Sequence, residues 1–321
     1  MAIKGGGVKK IKTEVKIKRV TPDGVEDLRM VTEDVQVVDK DSADVRSMNA
    51  MSSLHADACI YCSSTEQLSS EHVIPFAWGG TLQIHRGSCE KCRHITSQFE
   101  NYALNDGAMP HVRKALSIPS RSGHKNAKNP PETSLSGKDG QEIILADDAL
   151  APLILGLPLF VRPGQLVGDG KRLDLRLKGM GAVAFGVDVA SFLDRHEASA
   201  VRQKEVGKRT MPFARAIAKI AYGWAWRDGA LEKLSGTEHL VDAFMNHPEK
   251  RLGAFVGTKP PPYERYLGCQ LRLEYKLSMP SQLVYMEVQI FADSAAPIYE
   301  VVLGRVESVR EWRRMNQSLR N

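Results

Sequence analysis

Two Cys-x-x-Cys pairs constrain this chain more than any other feature. Cys59-Ile60-Tyr61-Cys62 and Cys89-Glu90-Lys91-Cys92 are each spaced for two thiolates to grip one metal ion, with residues 63–88 between them. Four thiolates so arranged form a closed tetrahedral Zn2+ site with no open position for water or substrate. The zinc expected at Cys59, Cys62, Cys89 and Cys92 is therefore structural. It allows a small module to fold whose own core would be too small. Any chemistry must come from other side chains.

The segment between the pairs supplies candidates. Glu71-His72-Val73-Ile74-Pro75 is followed by Gly79-Gly80. An imidazole that is neutral near pH 7 suits a general base that deprotonates water. The adjacent Glu71 carboxylate suits an oxygen ligand for Mg2+ or a similar ion, which would offset charge on a phosphoryl transition state. Neighbouring strand residues point to opposite sides, so both jobs require a bent or strand-end backbone, which Pro75 and Gly79-Gly80 provide. The plainer alternative is a hydrogen-bonded structural His72 beside a surface Glu71.

The string Cys-x-x-Cys, Glu-His-x-Ile-Pro, Gly-Gly, Ser-Cys-x-x-Cys and Ile-Thr-Ser-x-Phe-Glu, from Cys59 to Glu100, resembles the HNH endonuclease family. It is most similar to the stand-alone bacterial branch, with its zinc-braced ββα-metal, treble-clef-like core. A weaker similarity to long members continues through Phe213-Ala-Arg-x-x-Ala-Lys-Ile-Ala and Tyr299-Glu-Val-Val-Leu-Gly. The resemblance implies a metal-dependent endonuclease that hydrolyses phosphodiester bonds in nucleic acid, DNA ahead of RNA. Position by position, His72 matches the general base, Glu71 the acidic ligand of the catalytic divalent ion, and the four cysteines the zinc ligands. Two positions depart from the pattern. The central asparagine falls near Ile84, with His85 the nearest polar residue. The last ligand falls at Arg93, with His94 next to it and Glu100 further along the same segment as other candidates. His94 is taken as the second ligand of the catalytic ion. The rival reading is a non-catalytic zinc module that binds nucleic acid or a protein partner.

Charge distribution bears on the partner. Lys4, Lys9, Lys10, Lys12, Lys16, Lys18 and Arg19 against Glu14 make the first twenty residues basic, and residues 21–50 are acidic. A second basic stretch has no acid between Asp106 and Glu132. With Arg93, its residues Arg113, Lys114, Arg121, Lys125 and Lys128 are the candidates for contact with phosphates. No apolar run approaches the length of about 18 residues that a transmembrane helix needs, so no membrane association is expected. The start, MAIKGGGVKK, lacks the apolar region of a secretory signal. Of 5 cysteines only Cys269 lies outside the pairs, a usage that fits a reducing cytoplasm.

The expected fold class is α+β: the small zinc-braced module, then a larger α+β domain with an antiparallel sheet. Residues 1–50 read as a poorly ordered basic and acidic extension, with one exposed strand an equal alternative from Val8 to Val20. Residues 51–118 read as the module, 119–140 as a polar, turn-rich linker, and 141–321 as the C-terminal domain, whose role the sequence does not assign. Apolar residues at steps of three and four predict a helix over Met211–Arg227. Period-two alternation predicts strands over Gln270–Lys276, Gln282–Phe291 and Ile298–Val306. Short strands are also expected at Gln141–Ala146, Arg172–Leu177 and Ala182–Val187. Helices are expected at Thr96–Leu104, Pro110–Leu116 and Ser308–Leu319.

Overall fold

The computed structural model describes residues 12–21, 24–33, 54–118, 132–145, 151–169, 172–203, 210–267, 269–279 and 281–320. For 12–21, 24–33, 144 and 318–320 it describes the backbone course alone. Strands β1 (Lys12–Thr21) and β2 (Gly24–Glu33) form an antiparallel pair, so part of the expected N-terminal extension is sheet. The alternation of Val or Ile with Lys is what a two-sided strand requires.

The module is built from β3 (Leu54–His55), β4 (Ser69–His72), β5 (Gln83–Ser88), α1 (Glu90–Asn105) and α2 (Met109–Ala115). Strand β5 is central, parallel to β3 and antiparallel to β4. Helix α1 begins directly after Cys89, six residues before the apolar pattern becomes readable at Thr96. It buries Cys92, Thr96, Phe99, Ala103 and Leu104 along one face.

Strands β6 (Thr133–Gly137) and β7 (Glu142–Ile144) form a hairpin, followed by β8 (Leu153–Phe160), β9 (Leu177–Phe185), α3 (Val189–Arg195) and β10 (Ala198–Gln203). Strand β6 lies between β10 and β7, which corrects the linker reading for residues 133–140. Residues 119–131 of that linker lie outside the described residues. The strand expected at Arg172–Leu177 is also corrected, because β9 starts only at Leu177 and the residues before it run as an irregular edge.

The remainder comprises α4 (Thr210–Arg227), α5 (Thr237–Met245), α6 (Pro248–Phe255), β11 (Val256–Thr258), β12 (Leu271–Ser278), β13 (Leu283–Ile290), β14 (Tyr299–Arg305) and α7 (Val309–Arg320). The antiparallel sheet has the order β11-β14-β13-β12, and α4 packs on it as the alternation predicts. Strands β13 and β14 are covered on both faces, so charge inside them must be paired. Their buried cross-strand neighbours Glu287 and Glu300 meet this need separately. Arg162 grips Glu300 with two bonds of 2.7 and 2.6 Å, and Lys259 reaches Glu287 at 2.9 Å.

One continuous apolar core runs from Ala56 in the module through α4 to Val306 and Met315. Helix α4 is the shared wall, which explains why it is buried nearly all round. Toward the module, Phe213 meets Trp78 edge-on and Gly223 lies against Val73. Tyr222 donates from its hydroxyl to the carbonyl of Ile60 at 2.8 Å. Among the described residues, no helix is long and apolar enough to cross a membrane.

Candidate metal centre and active site

The four paired cysteines converge. Their sulfurs all lie within 4.8 Å of one another, and Cys62 Sγ is 3.6 Å from Cys89 Sγ. A tetrahedral shell with Zn–S bonds of about 2.3 Å places sulfurs about 3.8 Å apart, so the cluster fits a structural metal such as zinc. Local structure explains the convergence. A tight turn at the first pair is closed by Ser63 N–H on the Cys59 carbonyl, at 2.9 Å, with Ser63 in the left-handed region. Cys89 caps α1, so Cys92 falls one turn later on the same side. A hydrogen bond from Cys92 holds the Cys59 thiol well below its ordinary range, and the same contact pushes the Cys92 thiol up. Among the described residues this is the one cluster of three or more metal-binding side chains.

Glu71 and His72 end β4 and separate to its two sides. His72 is half-buried, with Nε2 3.1 Å from Gln83 Nε2 and its ring edge-on to Phe76. Glu71 turns inward and is 5 % exposed. There its Oε1 lies 2.6 Å from Nζ of Lys219, a residue of α4 that is 1 % exposed. The same ammonium donates to Oε1 of Glu100 on α1 and, at 2.6 Å, to the backbone carbonyl of His72. Burial alone would lower the Lys219 pKa, but Glu100 and Glu71 outweigh it and raise it. The buried Tyr61 hydroxyl, without a hydrogen-bond partner among the described residues, is held well above its ordinary range by burial, then by Glu71 and Glu100.

The turn after His72 sets the strand end. Pro75 leads into a single 3-10 turn, Phe76–Trp78, and Gly79 closes it at φ +84°. A Cβ on Gly80 would sit 2.1 Å from the Ile74 carbonyl oxygen. Gly80→Ala is accordingly expected to cost about 1–3 kcal/mol by forcing the backbone apart. A urea midpoint indistinguishable from wild type would show that the turn yields freely.

Other expected site residues are distributed unevenly. His94 is exposed on α1, where Nε2 contacts Gln98 at 2.9 Å. Glu71 faces the core, so the structure does not group the two as ligands of one ion. Ile84 is fully buried opposite Glu71 and cannot stand in for a polar ligand. His85 is exposed and pairs with Ser70 Oγ at 3.2 Å. With the Lys219 ammonium already seated between Glu71 and Glu100, the residues present do not fit the expected catalytic divalent ion. Arg113 is corrected as a phosphate contact. It is 6 % exposed, donates from Nη1 to the Leu104 carbonyl at 3.2 Å, and is anchored as part of the core. Arg93 and Lys114 are exposed. Arg121, Lys125 and Lys128 lie outside the described residues.

Lys219 is the residue that sequence reasoning missed. Its signal was present: Arg215 and Lys219 are the only charges between Phe213 and Trp226, four apart and so on one face of a buried helix. Arg215 also reaches across the shared core. It stacks over Phe99 at 4.6 Å and donates from Nε to the Phe244 carbonyl at 2.6 Å.

Residues 59–105 match the family described as HNH endonuclease. No curated protein and no solved structure matches the chain. The match covers the cysteine cluster, the Glu71-His72 step and α1. It supports a nuclease-type or nucleic-acid-binding role for this segment.

Proposed function

We propose that the module is an HNH-type endonuclease that hydrolyses phosphodiester bonds in nucleic acid, DNA ahead of RNA, with His72 as general base. The observation that carries this reading is the placement of His72. It stands at the end of β4, half-open to solvent, inside the matched segment. Its backbone is tied to the buried Lys219, and its Nε2 sits beside Gln83. A zinc ion held by Cys59, Cys62, Cys89 and Cys92 would fix the strand-to-helix geometry and take no part in the reaction. The imidazole would take the proton from an attacking water. The exposed Arg93 and Lys114 would contribute to phosphate affinity, which needs no sequence reading.

One observation favours a second reading. The closed Glu71–Lys219–Glu100 centre removes the acidic ligand on which a metal-dependent nuclease of this type relies. A module that binds nucleic acid or a protein partner without cleaving it would tolerate that closure. A plasmid-nicking assay with and without Mg2+, Mn2+ or Ni2+, run beside His72→Ala, separates the two. The variant is expected to lose at least about a hundredfold in cleavage while zinc content and nucleic-acid binding persist. Cleavage by the variant at the wild-type rate would place the chemistry elsewhere. Binding without cleavage by the wild type would select the second reading.

A further inference from the structure

The centre beneath His72 contains two carboxylates and one ammonium, and the ammonium has committed every donor it has. A lysine offers three N–H groups. In Lys219 they go to Glu71, Glu100 and the His72 carbonyl, one acceptor each. These three acceptors come from β4 and α1 of the module, whereas the ammonium comes from α4, far along the chain. A Mg2+ or Mn2+ ion in the same place would need several oxygen ligands at about 2.0–2.2 Å around one point. The acceptors present are instead arranged about Nζ, and a dication beside a buried ammonium would meet like charge at short range.

We infer that Lys219 is the resident cation of this site, its ammonium occupying the seat between Glu71 and Glu100 that a divalent ion would otherwise take. The C-terminal region thereby acquires a role that its sequence alone did not suggest. It supplies, through α4, the positive charge that completes the module's acidic pocket. Without that charge the pocket would hold the buried Glu71 carboxylate, the half-buried Glu100 carboxylate and a carbonyl, a hard oxygen site suited to a small dication.

The inference builds on the same site as the proposed function but does not depend on cleavage, so the two can fail separately. The test is Mn2+ binding to the full-length, zinc-loaded protein, followed by the electron paramagnetic resonance signal of free Mn2+. Wild type and Glu71→Gln are expected to bind Mn2+ equally, within about twofold, because Glu71 holds none. Lys219→Met is expected to gain one Mn2+ site at least about tenfold tighter than any in the wild type, and Lys219→Met/Glu71→Gln to lose it again. A wild type that binds one Mn2+ and loses about tenfold in affinity on Glu71→Gln would overturn the inference. So would a folded Lys219→Met that gains no site. If Lys219→Met fails to fold, the comparison of wild type with Glu71→Gln still decides.

Discussion

Cys89→Ser is expected to empty the four-cysteine cluster and unfold the module from Ala56 to Ile118. Cys89 holds the N-cap position of α1 without a side-chain cap bond, and serine is favoured there, so the helix start is not weakened and the loss is confined to the missing thiolate. Three thiolates leave an incomplete shell. Structural zinc contributes on the order of 10–16 kcal/mol to the folding of small modules, more than most domains have to spare. Strands β3, β4 and β5, which hold the two pairs in register, are short. Metal loss should also reach α4, because Tyr222 bonds the carbonyl of Ile60 and Gly223 packs on Val73. Elemental analysis of the wild type is expected to give about one zinc per chain, and a tight chelator should abolish much of the cooperative thermal transition. Cys269→Ser serves as control, since that thiol lies outside the cluster and donates to the Leu271 carbonyl, at 3.1 Å. A metal-free protein that keeps its native circular dichroism and melting point would sink the structural-metal assignment.

Features with a local cause could be read from the sequence. The Cys-x-x-Cys pairs announce their own geometry. Helix α4 and strands β12, β13 and β14 carry apolar periods of 3.6 and 2 that need no knowledge of their partners. Features that depend on remote pairing could not be read. Strand β6 has the composition of a turn, TSLSG, with only Leu135 to show an apolar face, and it becomes a strand by lying between its hairpin partner β7 and β10, which joins it some sixty positions later. The Leu173 and Leu175 alternation looked like a strand. However, its backbone is used by Gly253, whose N–H donates to the Leu173 carbonyl at 2.9 Å, and not by a ladder. The candidate site divides in the same way. The four paired cysteines and His72 were visible, but the environment of Glu71 was not, because its counter-ion arrives from α4, a helix remote in the chain that packs directly against the module.

That counter-ion sets the second large expectation. Lys219→Met should cost about 3–5 kcal/mol, because breaking a buried pair leaves uncompensated charge behind. Methionine is nearly as long as the lysine stem and apolar, so little of this loss would come from a cavity. Two carboxylates, Glu71 at 5 % and Glu100 at 18 % side-chain exposure, would then face each other without a cation. The sign of the pH dependence follows from the raised Lys219 pKa. A group charged in the native state and raised by its partners contributes fully below its ordinary value of 10.5 and loses that contribution as pH rises through the folded value. The gap between wild type and Lys219→Met should therefore be constant across neutral pH and shrink in strong alkali. Urea unfolding with both proteins zinc-loaded measures it. If the loss is electrostatic, Lys219→Met/Glu71→Met/Glu100→Met should recover most of it, since a buried charge cluster replaced as a whole by apolar residues is often neutral in stability. A single-variant loss below about 1 kcal/mol would mean instead that water reaches the two carboxylates, as at an exposed pair. The centre would then be an open site and not one sealed around Lys219.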